Sequence, residues 1–129
     1  MFFLRVISGK FSKLIEDVFH FDTIENLKNS INKNFKIPIN LIKLSFNGKE
    51  LQDNKTISQY FIKSYDIVYL DLDLIEINIQ KNNTYGLKWY VENNTTINEL
   101  QKRIQIIYGN IIADDFNKIL KDGDTIIII

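Results

Sequence analysis

Asp22-Thr23-Ile24-Glu25-Asn26-Leu27-Lys28, then Ile37-Pro38, then Leu44-Ser45-Phe46-Asn47-Gly48-Lys49-Glu50-Leu51 is the stretch that decides the fold. Thr23 stands where a helix N-cap belongs, and Ile24, Leu27 and Ile31 follow on one helical face. Pro38 lacks the N–H a helix needs and bars its preceding residue from helical geometry, so the helix stops ahead of it. Leu44 to Phe46 then reads as a strand closed by a Gly48-Lys49 turn. The stretch predicts a capped helix, a proline-stopped turn and a strand.

Outward from this stretch the chain repeats itself at a period of about 73 residues. Phe2, Leu4 and Val6 recur as Ile75, Ile77 and Ile79, an alternating strand each time, and Leu14 and Val18 recur as Leu87 and Val91. Thr23, Ile24, Leu27 and Ile31 recur as Thr96, Ile97, Leu100 and Ile104, and Phe35 recurs as Tyr108. Thr96 with Glu99 has the residues of a capping box, and Thr23 with Asn26 is a weaker version. After the second helix the frame shortens. Leu120-Lys121 and Asp124 answer Ile62-Lys63 and Asp66 at an offset of only about 58, so some fifteen residues are missing there. Val68, Leu70, Leu72 and Leu74 alternate on even numbers and Ile75, Ile77 and Ile79 on odd ones. That phase break marks a boundary between Leu74 and Ile75.

The order and spacing of residues 22–51, continued by Thr56-Ile57-Ser58-Gln59-Tyr60, resemble the ubiquitin family. The whole chain resembles a tandem two-domain ubiquitin-like modifier. Its end, through Leu120-Lys121-Asp122-Gly123-Asp124-Thr125-Ile126, is also similar to the sulfur-carrier proteins that share the β-grasp fold. The resemblance implies an α+β chain of two tandem β-grasp domains: a ubiquitin-like one over 1–74 and a minimal, shortened one over 75–129. It further implies a protein modifier or tag in a ubiquitin-like conjugation pathway. The rival reading is an adaptor or interaction module that is not conjugated. Conjugation needs a flexible tail ending in Gly-Gly. The first copy instead runs Leu72-Asp73-Leu74-Ile75 into the next strand, and the glycine tail is not present after Ile129.

Composition bounds the alternatives. A formal net charge of zero provides no basic field for nucleic acid or an anionic membrane, and no apolar run is long enough to span a bilayer. Without cysteine there are no disulfides, thiolate metal sites or thiol nucleophiles, which makes a cytoplasmic or nuclear setting the expectation. His20 is the single histidine, in Phe19-His20-Phe21, and a loop or packing role is expected of it. Asp114-Asp115 reads as a capping pair, and Asp122-Gly123-Asp124 lacks the other ligands of a calcium loop. The five glycines form no phosphate loop, and Trp89 shares a face with Leu87 and Val91 and reads as core. No catalytic residue, metal site or cofactor is expected, and the protein is not expected to be an enzyme.

Partners are therefore expected to be proteins: activating or conjugating enzymes, processing proteases, or adaptor targets. By the resemblance, Ile7, Ser45, Tyr69 and Asp71 match the apolar recognition patch of ubiquitin. Ser45 and Asp71 degrade it, while Phe3, Arg5 and Tyr69 make a different patch on the same face. Lys10, Lys28 and Lys49 match chain-linkage lysines, though as residues they read as solvated surface. If Ile126 and Ile128 point inward, Ile127 and Ile129 point to the open face. Burying each is worth roughly 1.5–3 kcal/mol, enough to favour partner binding or self-association through the second domain.

Overall fold

The computed structural model describes residues 2–81 and 85–129; Met1, where the ubiquitin-like pattern begins, lies outside them. The chain is divided into two compact units, Met1–Asp73 and Leu74–Ile129.

In the first unit, β1 (Phe2–Ser8) and β2 (Phe11–Val18) form an antiparallel hairpin, followed by α1 (Ile24–Phe35). Three further strands complete the sheet: β3 (Leu44–Phe46), β4 (Lys49–Glu50) and β5 (Ile67–Leu70). Its order is β2-β1-β5-β3-β4, with β5 parallel to β1 and the other neighbours antiparallel. The Asn26 amide donates to the Thr23 hydroxyl at 3.1 Å, as the cap position predicts. At the other end Lys36 enters the left-handed region at φ 60°, and its N–H donates to the Asn32 carbonyl at 2.8 Å. Ile24, Leu27, Ile31 and Phe35 form the helix's buried stripe. Leu4, Val6, Ile15, Val18, Leu44, Val68 and Leu70 of the sheet are buried as well. Each such side chain contributes roughly 1.5–3 kcal/mol of burial.

The second unit has β6 (Leu74–Lys81), β7 (Tyr85–Glu92), α2 (Ile97–Tyr108), β8 (Ile111–Ile112) and β9 (Thr125–Ile128). Its sheet order, β7-β6-β9-β8, repeats β2-β1-β5-β3 strand for strand, again with the last strand parallel to the first. The chain is thus α+β with two separate mixed sheets: a ubiquitin-type β-grasp and a shorter β-rich unit of the same topology. Thr96 caps α2, accepting from the Glu99 amide at 3.2 Å, and the Glu99 carboxylate accepts from the Thr96 hydroxyl at 3.2 Å. Ile77, Ile79, Trp89, Val91, Leu100, Ile104, Ile126 and Ile128 belong to its core, with Leu87 and Tyr108 packed against it. Trp89 meets Tyr108 edge to face at 5.6 Å. Around the boundary, Leu74 and Ile75 are both buried, consecutive residues that end one alternation and begin the next.

The shortening falls in two places: residues 36–43, with the 3-10 turn Ile39–Leu41, join α1 to β3 where residues 109–110 join α2 to β8, and the rest is lost between β8 and β9. Lys63 N–H donates to Asp66 Oδ2, and Asp66 carbonyl accepts from Arg5 N–H; Lys121, Asp124 and Asn78 repeat both bonds. Upstream, however, Ile57 N–H donates to the Asp22 carbonyl at the helix start, and there Leu120 N–H donates to Thr95 in the same way. Leu120 therefore occupies the places of both Ile57 and Ile62. The 3-10 turn Ser58–Tyr60 between them, and β4, have no counterpart among the described residues of the second unit.

One expected equivalence fails. Leu14 does not correspond to Leu87. Leu4 pairs with Ile15 as Ile77 pairs with Trp89, and Val6 pairs with Lys13 as Ile79 pairs with Leu87. The cause is a register shift in the β1–β2 ladder between Phe2 and Leu4, with Asp17 at φ 59°. The extra residue restores Val18 to the inner face but turns Leu14 outward, leaving it 39% exposed.

Candidate protein-binding surfaces

Because α1 covers one face of the first sheet, alternation sends Phe3, Arg5 and Ile7 of β1 to the other face. Ile7 lies beside Tyr69 across the parallel β1–β5 ladder, and Ser45 lies beside Tyr69 across β3–β5. The Ser45 hydroxyl donates to Asp71 Oδ1 at 3.2 Å. Ile7, Ser45, Tyr69 and Asp71 are thereby brought into one cluster, apolar toward β1 and polar toward β3. Further along, the Phe3 ring packs on Tyr65 at 5.7 Å. Arg5 is held across β2 by a 2.9 Å bond from its guanidinium to the Ser12 hydroxyl.

Two members of this face escaped sequence reasoning. Arg5 is flanked in register by Leu14 on β2 and Ile67 on β5, both exposed. Ile67 was legible, since it lies out of phase with Val68 and Leu70. Leu14 was not, because nothing in the residue pattern announces the bulge. The face as built is an apolar ring of Leu14, Ile67, Tyr69 and Ile7 around one arginine, with the Ser45–Asp71 pair at its edge.

In the second unit Ile126 and Ile128 are buried, while Ile127 and Ile129 are 45% and 62% exposed. Ile112, not singled out from the sequence, sits directly opposite Ile127 in the β8–β9 ladder and is also exposed. The β6–β7 half of that outer face is polar instead. Lys88 Nζ lies 3.1 Å from Glu76 Oε1, and the Tyr90 hydroxyl is hydrogen-bonded to Glu76. Burial first, and then the Glu76 carboxylate, push the Tyr90 hydroxyl pKa above its ordinary value near 10.

The three lysines differ. Lys10 and Lys49 are exposed. Lys28 departs from the expected solvated surface: its side chain is only 13% exposed and its Nζ lies 2.6 Å from Asp53 Oδ1. His20 is an exposed loop residue whose carbonyl accepts from Ser58 N–H at 2.9 Å, between phenylalanines 19 and 21, whose rings stack at 5.2 Å. Asp115 caps a turn, accepting from Asn117 N–H at 2.9 Å. Asp122 and Asp124 accept from the backbone N–H groups of Glu76 and Lys121, each at 2.8 Å. Among the described residues no cluster of three or more His, Cys, Asp or Glu could hold a metal ion, and no helix is long and apolar enough to cross a membrane.

A family model described as the Ubiquitin family matches residues 2–75. That span takes in β1 through β5 of the first unit, with its bulged hairpin, capped helix and parallel closing strand. It covers more than half of the chain, and the protein belongs to the ubiquitin family.

Proposed function

We propose that the protein is a tandem ubiquitin-like interaction protein whose first unit is read by protein partners through the open face of its sheet. Ubiquitin-like domains bind proteins generally and are typically non-catalytic. The observation that carries the reading is the set of exposed Leu14, Ile67 and Tyr69, with half-buried Ile7, around Arg5. Apolar side chains gathered on one sheet face favour a protein partner that covers them. In this reading the domains are 1–74 and 75–129, and Phe3, Ser45 and Asp71 set specificity at the edge of the contact. Ile127 and Ile129, joined by Ile112, form a second apolar patch that supports association through the second unit, with a partner or another copy.

The tag reading is supported by the tandem of two units with one topology. It requires a C-terminal glycine carboxylate to be adenylated, passed through a thioester on partner enzymes and joined to a target amine. A blot under denaturing, reducing conditions in cells expressing the natural protein separates the two. A ladder of heavier adducts identifies a tag, and a single band identifies an adaptor. In either case, changing Ile67 and Tyr69 to Ala should abolish partner capture without lowering the melting temperature. Undiminished capture would refute the assignment of this face.

A further inference from the structure

Phe61 is in the wrong place for a phenylalanine. It follows the 3-10 turn Ser58–Tyr60 in the left-handed region, at φ 59°, where glycine or asparagine is usual and a bulky side chain is strained. Packing does not explain it, because Phe61 is 81% exposed. Tyr65, at φ 69°, at least rests on the Phe3 ring. A residue that strains the backbone and leaves its own surface bare points to a role outside folding.

Its surroundings supply one. Phe61, Tyr60 and Phe46 line a cleft of about 340 Å³ together with Asn47, Lys49 and Gln59. That is at the small end of ligand-sized clefts and suits one anchoring side chain. The walls are preorganised. The Tyr60 hydroxyl is pinned by the Gln52 N–H at 2.8 Å, and Gln59 is locked to Thr56 by reciprocal bonds at 2.8 and 3.3 Å. Asn47 and Gly48 hold the β3–β4 turn at φ 51° and 78°. The lining carries one charge, the ammonium of Lys49, and no carboxylate. Lys55 adds a second cation, its Nζ 5.9 Å from the Tyr60 ring centroid.

We propose that this cleft binds an acidic peptide segment of a protein partner, an aromatic side chain entering between Phe46, Tyr60 and Phe61 and a neighbouring carboxylate pairing with Lys49. The site shares no residue with the Tyr69 face, so it stands or falls separately from that reading. Its occupant covers Lys49, and attachment to that lysine and binding here exclude each other.

The test uses the full isotope-labelled chain titrated with acetyl-Trp-Asp-Asp-amide and, separately, acetyl-Trp-Lys-Lys-amide, followed by NMR amide shifts. Saturable shifts at residues 46–49 and 59–61 are expected for the acidic peptide alone, weakened at least about tenfold by Lys49→Glu and by Phe61→Asn. Phe61→Asn should also melt at a higher temperature than the parent, since it relieves the strain. No saturable shift, equal binding of the basic peptide, or unchanged binding by Phe61→Asn would each overturn the proposal. A lower melting temperature for Phe61→Asn would do so too, by showing Phe61 to be structural.

Discussion

At Asp17 a single left-handed backbone angle decides which way a neighbouring leucine points. Read by repeat alone, Leu14 is a core residue; with the bulge in place Ile15 takes the core position and Leu14 goes to the open face. Ile15→Ala should therefore cost about 2–5 kcal/mol, while Leu14→Ala stays near 0.5 kcal/mol, both read from urea unfolding. The reverse order would mean the bulge is absent. Tyr90 offers a second residue-level test. Its folded pKa lies above the unfolded value near 10, so the associated stability is fully present below pH 10 and is lost as pH rises through the folded value. Ultraviolet titration should show one tyrosine ionising later than the exposed ones, and Glu76→Gln should bring it partway back. If Glu76→Gln leaves the late transition unmoved, burial alone raises it.

At the scale of elements, most of the architecture was legible. Both helices begin at the threonines read as caps, and each shows its apolar stripe in the residue spacing. The isoleucine strand was legible from phase alone, because Ile126 and Ile128 are buried and Ile127 and Ile129 are not. Ile127→Lys should leave stability within about 0.5 kcal/mol of the parent. Leu120→Ala should cost about 2–5 kcal/mol, since that one side chain fills the positions of Ile57 and Ile62. An equally severe loss in Ile127→Lys would place the strand one residue out of register. The double duty of Leu120 was hidden, because a side chain that satisfies two positions at once leaves no trace in a pattern of single matches. The exposure of Ile112 was hidden for a related reason: a two-residue strand is too short to show alternation.

The whole molecule is a ubiquitin-family unit followed by a second unit of matching strand order, and its proposed work lies on the open face of the first sheet. On the first unit's open face Ser45 and Asp71 bond to each other, a satisfied polar pair beside Tyr69. Ordinary ubiquitin-binding modules should cause no saturable shifts at Ser45, Tyr69 and Asp71 in an NMR titration. Tight binding centred there would show that the polar pair opens at little cost.

In the proposed function, partners read the face around Tyr69. Site-specific photo-crosslinking in the cells that make the natural protein tests it most directly, with a benzophenone side chain at position 69 and, as control, at the exposed helix position Asn34. Discrete adducts are expected from position 69, disappearing when Leu14 and Ile67 are changed to Ser, and none from position 34. Adducts from position 34 alone, or adducts from 69 that survive those changes, would contradict it.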